Sequence, residues 1–172
     1  MLLNQDQWIV WMNERKLVFV VDAMYGNLAK KLRLFGYDSL YYADIDDDKI
    51  LQIAKDEDRI LLTNDVALVK RSLKQDVRIV QITKKDEIEQ ILEINQKYNL
   101  GKCVIAGNNS RCPLCNGVLH KIQKEFIITQ VPEGVLKQTN EFWTCENCKK
   151  IYWEGTHIKN LQRFASRLND LL

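Results

Sequence analysis

Four short apolar segments alternate with amphipathic segments over the first hundred residues of the chain. The apolar segments span residues 17–21, 39–42, 60–62 and 77–82. An unbroken apolar run such as 17–21 is typical of a strand that is covered on both faces. The pattern therefore predicts four strands, each separated from the next by enough chain for a helix.

The intervening segments carry apolar residues at helical spacing. They predict helices that begin at Gly26, that include Ile50 and Ala54, and that span 66–73, with a fourth helix capped by Thr83. Strands that alternate with helices form right-handed βαβ units around a mainly parallel sheet. The fold class predicted for this half is therefore α/β.

The second half has a different pattern. Residues 118–131 and 142–144 predict strands joined by a turn at 132–134, and the spacing of Leu161, Phe164 and Leu168 predicts a C-terminal helix over 157–172. The Gly-Asn-Asn-Ser stretch at 107–110 is typical of a linker. The chain is thereby divided into an N-terminal extension (1–15), an α/β domain (16–106) and a smaller module with the C-terminal helix (107–172).

Composition sets broad limits on the class of protein. With 172 residues, of which 46% are hydrophobic, the chain can bury a core, and its net charge of +2 does not by itself indicate nucleic acid. No apolar run reaches the length of a membrane span and no signal peptide is evident, so we expect a cytoplasmic protein without membrane contact. Trp8 and Trp11 in the extension are expected to contact the body of the protein, a protein partner or a second copy.

Four of the five cysteines form two C-x-x-C pairs, Cys112 with Cys115 and Cys145 with Cys148. Two such pairs supply the four thiolates of a tetrahedral zinc site. Four protein ligands leave no open position, so the predicted zinc is structural. Cys103 is expected to be a buried small apolar residue.

Acidic residues follow three of the predicted strands. Asp22 follows the first and Asp65 the third, while the second is followed by Asp44, Asp46, Asp47 and Asp48. The carboxyl ends of parallel strands share one edge, where ligands bind in α/β sheets. Carboxylates there suit Mg²⁺ or Mn²⁺ and phosphoryl chemistry. The alternative is that these aspartates are turn residues or helix caps, with Asp47 capping the second helix.

Several stretches, in order, resemble the Mut-seven C-terminal RNase family. They are VVDAMYG at 20–26, LAKKLRLFGYD at 28–38, RILLTND at 59–65, SRCPLCNG at 110–117 and CENCKKIYWEGTH at 145–157. The resemblance covers the chain from about residue 16 to its end. It implies a PIN-like three-layer α/β/α nuclease domain followed by a small zinc ribbon and a C-terminal helix.

The resemblance also implies roles for particular residues. The family's acidic positions correspond to Asp22, Asp65 and Asp47, which would bind the catalytic magnesium or manganese. Two positions depart from the family pattern: Asn64 stands where the family has Arg, and Tyr25 where it has Leu. The fourth acid that PIN-like domains often carry is missing from 66–68.

Basic residues close to these motifs are the predicted RNA contacts. Lys30, Lys31 and Arg33 follow Asp22, Lys149 and Lys150 follow the last cysteine, and Asn64 and His157 lie within the family stretches. The alternatives are a solvated helix face for Lys30 and Lys31, and for His157 a cap of the last helix or a hydrogen bond within the ribbon.

Together these features predict a ribonuclease that uses Mg²⁺ or Mn²⁺ to hydrolyse phosphodiester bonds of single-stranded RNA, with a zinc ribbon that helps to bind substrate. Two alternatives remain open. One is a nucleic-acid-binding module without catalysis, which the missing fourth acid favours. The other is a toxin-type RNase controlled by a partner protein.

Overall fold

The computed structural model describes residues 17–172, apart from the side chain of Thr156. The N-terminal extension predicted from the sequence, and the contacts expected of it, lie outside these residues.

Four parallel strands form the central sheet. They are β1 (Val18–Val21), β2 (Asp38–Tyr41), β3 (Ile60–Thr63) and β4 (Ile79–Gln81). They lie in the order β2-β1-β3-β4, with Val20 of β1 paired to Leu40 on one side and to Leu61 on the other. All strands point the same way, so the sheet has one carboxyl edge, where the strands end, and one amino edge, where they begin.

Helices cover both faces of the sheet. They are α1 (Gly26–Leu34), α2 (Asp47–Asp56), α3 (Val66–Lys74) and α4 (Glu87–Tyr98). Phe19 and Val21 of β1 pack in one apolar cluster with residues of α1 and α4, while Val20 packs in a second cluster with residues of α2 and α3. Alternate side chains of a strand point to opposite faces. The predicted three-layer α/β/α architecture is therefore confirmed.

Aspartates begin three of these helices. The side chains of Asp46, Asp65 and Asp86 accept hydrogen bonds from backbone N–H groups in the first turns of α2, α3 and α4. The prediction that Thr83 caps the fourth helix is wrong, because α4 begins only after Asp86. The alternative role of Asp47 as a cap is also wrong, because Asp46 fills that position.

The C-terminal module is a small antiparallel sheet of β5 (Leu119–Ile122), β6 (Phe142–Cys145) and β7 (Ile151–Trp153). Strand β5 is much shorter than the predicted strand over 118–131. The chain instead forms a 3-10 helix at Lys124–Phe126 and a short helix, α5 (Glu133–Gln138), where a turn was predicted. Ile127, Val131 and Leu136 from this excursion pack on Phe142 and form a separate small core.

The segment 107–110 is held against the α/β domain, unlike the linker that its composition predicts. The Ser110 hydroxyl donates to the Leu34 carbonyl at 2.6 Å, and the backbone N–H of Arg111 donates to the Arg33 carbonyl at 2.7 Å. Gly107 lies so close to Trp143 that a Cβ there would stand 2.1 Å from the indole ring. The module is thus packed onto the end of α1.

The last helix, α6 (Thr156–Asn169), packs on the same face of the sheet as α1 and α4. Ala165 and Leu168 belong to the cluster that contains Phe19, so α6 completes the core of the α/β domain. The Asn169 side chain accepts from the backbone N–H of Cys103 and donates to its carbonyl, both at 2.8 Å. Cys103 is buried as expected, and burial raises the pKa of its thiol to about 11. None of the helices within residues 17–172 has the length and apolar character needed to cross a bilayer.

Candidate active site and zinc site

Thr63 joins two of the predicted acids at the carboxyl edge. Its hydroxyl donates to Oδ2 of Asp22 at 2.5 Å and accepts from the backbone N–H of Asp65 at 3.0 Å. Asp22 directly follows β1, and its backbone N–H continues the sheet by donating to Leu62 at 3.0 Å. Oδ1 of Asp65 accepts from the N–H of Leu68 at 2.7 Å and caps α3. Neighbouring parallel strands therefore bring Asp22 and Asp65 to one place although they are 43 positions apart in the sequence.

Asp47 lies in the first turn of α2 and is exposed. Its carboxylate faces Arg71 of α3, with 3.6 Å between Oδ2 and Nη1, and Asp48 pairs with the same guanidinium. The Asp46 carboxylate accepts from the backbone N–H of Lys49 as the helix cap, and it also forms an ion pair with Nζ of Lys49 at 3.0 Å. Arg71 is not among the site residues predicted from the sequence. Only the packing of α2 beside α3 shows that a cation stands close to the central acids.

The three predicted catalytic acids do not form a closed set of metal ligands. Within residues 17–172, the group of acidic, histidine or cysteine side chains whose ligand atoms all lie within 4.8 Å of one another is the four cysteines. Asp22, Asp47 and Asp65 do not reach that spacing. The carboxyl edge is an open arrangement in which Asp22 and Asp65 are linked and Asp47 pairs with a cation.

Glu93 is a further acid near the carboxyl edge. It projects from α4 and accepts from the backbone N–H groups of Thr83 and Lys84 and from the Thr83 hydroxyl. Tyr25 follows Asp22 in the chain and donates to the Ile82 carbonyl at 3.2 Å. Burial, together with the charges of Asp22 and Glu93, raises the pKa of the Tyr25 hydroxyl. Glu93 lies in the middle of a helix, so no strand-end pattern could have indicated its position.

Arg33 does not lie where the sequence analysis placed it. The side chain is buried, with 4% exposed, and its Nε donates to the Ser39 carbonyl at 2.8 Å. Its Nη1 donates to the carbonyls of Pro113 and Leu114 in the first cysteine knuckle, at 3.0 and 3.2 Å. Because α1 runs back from the carboxyl edge, Arg33 near its end is close to the amino edge. The prediction that Arg33 contacts substrate beside the acids is therefore wrong.

The two lysines of α1 differ in their surroundings. Lys31 forms an ion pair with Glu87 at 2.6 Å, and its Nζ lies 4.9 Å from the centre of the Phe164 ring. It links α1 to α4 and α6, and its role as a substrate contact stays a prediction. Lys30 is exposed and so keeps its charge available. Asn64 is also exposed, beside Asp65 at the carboxyl edge.

The four cysteine side chains converge on one point. Cys112 and Cys148 have their Sγ atoms 3.6 Å apart, and Cys115 and Cys145 have theirs 3.4 Å apart. Zinc–sulfur bonds of about 2.3 Å in a tetrahedron place the sulfurs about 3.8 Å apart, so the arrangement fits zinc. The Tyr152 hydroxyl lies 3.0 Å from Cys112 Sγ, where it can donate to a thiolate and orient it.

The four-cysteine site and the acids lie at opposite edges of the sheet. The first knuckle meets Asp38, the first residue of β2, through Asn116 Nδ2 at 2.9 Å and Arg111 Nη2 at 3.6 Å. Burial tends to raise the pKa of Asp38, but Arg59, Asn116 and Arg111 hold it below its ordinary value. A four-residue strand is roughly 13 Å long, and this length separates Asp38, which the knuckle contacts, from the edge at which Asp22 lies.

The predicted RNA contacts of the ribbon are exposed. Lys150 and His157 point to solvent, and Lys149, at a φ of 61°, bends back so that its Nζ donates to the Glu146 carbonyl at 2.6 Å. These residues lie on the zinc-site side of the molecule. The structure thus separates them from the acids and does not bring all predicted site residues together.

Comparison with known protein families shows to which family the chain belongs. A model of the Mut7-C RNAse domain matches residues 17–165. The chain belongs to the Mut7-C RNAse domain family. No curated protein and no solved structure gave a significant match.

The Mut7-C match includes both the parallel sheet and the zinc ribbon, and it extends into α6. The residues that join these parts, among them Arg33 and Asn116, therefore lie inside one family unit. The Tyr25 hydroxyl, which donates to the Ile82 carbonyl, connects the segment after Asp22 to the end of β4.

Proposed function

We propose that this protein is a metal-dependent ribonuclease that hydrolyses phosphodiester bonds of single-stranded RNA. Asp22, Asp65 and Asp47 are the proposed ligands of a catalytic Mg²⁺ or Mn²⁺. The membership of the Mut7-C RNAse domain family supports the class of reaction. The observation that carries the assignment of the site is the Asp22–Thr63–Asp65 arrangement at the carboxyl edge.

The two linked acids fit a cation. Within residues 17–172, Oδ1 of Asp22 and Oδ2 of Asp65 accept no hydrogen bond, so each carboxylate keeps one oxygen for a ligand. Magnesium prefers such oxygens and binds through one or two carboxylates together with substrate phosphate and water. A divalent cation, when bound there, supplies Lewis-acid stabilisation of the charge on the phosphoryl group.

The chain supplies position and rigidity. Thr63, which is fully buried, fixes the direction of the Asp22 carboxylate. The N–H of Leu68 does the same for Asp65. The pair of Asp47 with Arg71 is exposed, and such pairs contribute up to about 1 kcal/mol. Asp47 can therefore exchange Arg71 for a cation at low cost when substrate and metal bind.

Substrate binding is proposed to use the exposed residues that remain from the sequence analysis. Asn64 lies beside Asp65 and Lys30 is exposed on α1, while Lys149 and Lys150 follow the last cysteine and His157 lies in the first turn of α6. Contacts of this kind to phosphates give affinity that is independent of sequence. A strand that touched both groups would span the α/β domain from one edge to the other.

The test is cleavage of labelled single-stranded RNA in Mn²⁺ or Mg²⁺. Asp22→Asn and Asp65→Asn are each expected to lower the rate about a hundredfold or more, the scale for losing a group that stabilises a transition state. Asp76→Asn is the matched control, because Asp76 is exposed between α3 and β4 at the amino edge and asparagine tolerates its positive φ of 59°. Cleavage by both active-site variants at the rate of the control would contradict the assignment.

A second candidate is an RNA-binding module without catalysis. The observation that favours it is the spacing of Asp22, Asp47 and Asp65, which do not form a close ligand group as the cysteines do. Under this alternative the unaltered protein would bind RNA and leave it intact at every concentration of Mn²⁺ or Mg²⁺. The same assay therefore separates the two functions.

A further inference from the structure

Three basic residues are spaced four apart along the last helix. Lys159, Arg163 and Arg167 occupy α6 at positions i, i+4 and i+8. Residues four apart on a helix are neighbours on one side of it, each about 6 Å further along the axis. We call the surface formed by these three side chains the basic face of α6.

The basic face is turned to solvent. All three residues are exposed, whereas Ala165 and Leu168 on the opposite side of α6 are buried in the core of the α/β domain. The neighbours on the exposed side, among them Asn160 and Ser166, are polar. Packing of the helix therefore fixes the basic face outward.

No acid balances the basic face. The sequence has no Asp or Glu between Glu154 and Asp170. Among residues 17–172, none of the three side chains forms an ion pair, and Arg163 Nη1 donates only to the neutral Asn160 side chain at 3.3 Å. Elsewhere Arg59, Arg71 and Arg78 all pair with aspartates.

The concentration of charge is large for this protein. The basic face carries three positive charges in a chain whose formal net charge is +2. It also follows β7 directly in the chain, so Lys150 before β7 and the basic face after it lie on consecutive elements.

We propose that the basic face of α6 binds the sugar-phosphate backbone of the RNA substrate. This inference rests on the proposed function and extends it, because it adds a contact surface on α6 to the proposed site. Exposed Lys and Arg side chains on one side of a helix match phosphates, which they bind with release of counterions. Such contacts position a strand without reading its sequence, so the substrate is a strand that extends beyond the cleavage point.

The experiment measures affinity for labelled single-stranded RNA over a range of salt concentrations, with every protein carrying Asp22→Asn so that RNA remains intact. The test variant combines Lys159→Ala, Arg163→Ala and Arg167→Ala. The matched control combines Lys55→Ala, Lys70→Ala and Lys74→Ala, which removes three exposed charges from α2 and α3 on the opposite face of the sheet. Thermal unfolding of both variants checks that the fold is unchanged.

Each phosphate contact to a single strand contributes about 0.7 to the slope of log affinity against log salt. Loss of the basic face is therefore expected to reduce the slope by about 2 and to weaken binding by tenfold or more at low salt. The control is expected to change the slope much less. Equal slopes for the test variant and the control would overturn the proposal, because net charge alone would then explain the effect.

The outcome is separable from that of the proposed function. If the protein without substitutions cleaves RNA and the two triple variants have equal slopes, the proposed role of α6 is wrong while the ribonuclease function is supported. If the parent does not cleave RNA and only the test variant loses slope, α6 binds RNA in a protein that is not a nuclease.

Discussion

Thr63 is the residue on which the arrangement of the two acids depends. It has no charge and cannot bind metal strongly, yet its hydroxyl holds both Asp22 and the backbone of Asp65. A buried hydroxyl with one donated and one accepted hydrogen bond fixes its partners more tightly than solvent would. The geometry of the candidate site therefore depends on a residue that does no chemistry itself.

Thr63→Val is expected to lower the free energy of unfolding by about 1–3 kcal/mol, since the half-buried Asp22 carboxylate and the backbone N–H of Asp65 each lose a hydrogen bond. It should also slow cleavage of RNA about tenfold or more, because the Asp22 carboxylate is no longer oriented. Thr63→Ser keeps the hydroxyl and should cleave close to the parent rate. Denaturant unfolding and single-turnover cleavage measure the two effects. Equal cleavage rates for the Val and Ser variants would show that the hydroxyl does not organise the site.

Arg33 shows why some residue roles could not be predicted from the sequence. In the sequence, Arg33 lies eleven positions after Asp22, within a stretch that resembles the Mut7-C family. Both features favour a phosphate contact. Two of its hydrogen-bond partners, Pro113 and Leu114, are 80 and 81 positions away in the zinc ribbon. Only the docking of the ribbon on α1 brings them together. Asp22 and Asp65 were easier to predict, because parallel topology alone places strand ends side by side.

At the scale of single elements, α2 separates a structural acid from a candidate catalytic one. Asp46 caps the helix by accepting from the N–H of Lys49 at 2.9 Å. Asp47, the next residue, makes no capping bond and instead faces Arg71. Both are exposed acids at the same helix terminus, so each serves as the control for the other.

Asp46→Ala is expected to lower the midpoint of thermal unfolding by about 2–4 °C, because a lost cap destabilises the helix. It should leave the cleavage rate at saturating RNA within about twofold of the parent. Asp47→Ala should change the midpoint less and slow cleavage about tenfold or more, as expected for a metal ligand. Calorimetry and cleavage kinetics on both variants provide the comparison. The role of Asp47 as a ligand is ruled out if its variant cleaves as fast as the Asp46 variant.

The elements of the α/β domain could be predicted well, because each buried strand is a short apolar run and each helix has a clear apolar stripe. The helical segment between β5 and β6 could not be predicted in this way. Ile127 and Val131 look like strand residues, but they form a small core with Phe142, which follows them by more than ten positions. In such a small core, packing between distant residues outweighs local preference, and Pro132 begins a helix there.

At the scale of the whole molecule, the four-cysteine module and the α/β domain form one connected structure. The carbonyls of the first knuckle accept from the buried Arg33, and Asn116 accepts from the backbone N–H of Ser39 in β2 at 3.0 Å. After the ribbon, the chain returns as α6 and completes the core with Leu168. Loss of structure in the first knuckle would therefore remove hydrogen bonds from residues inside the α/β domain.

Removal of zinc is consequently expected to loosen β2 and the end of α1 as well as the ribbon. Without the ion, four thiols have nothing to hold them together, and the knuckle carbonyls no longer satisfy Arg33. Hydrogen exchange after chelation should show faster exchange at the Ser39 amide, whose acceptor is Asn116. The Val80 amide of β4, at the far side of the sheet, is the internal control and should keep more of its protection. Adding zinc back should restore the protection of the Ser39 amide from exchange. If Ser39 and Val80 keep equal protection in the zinc-free protein, the ribbon is an independent module and the coupling through Arg33 and Asn116 is absent.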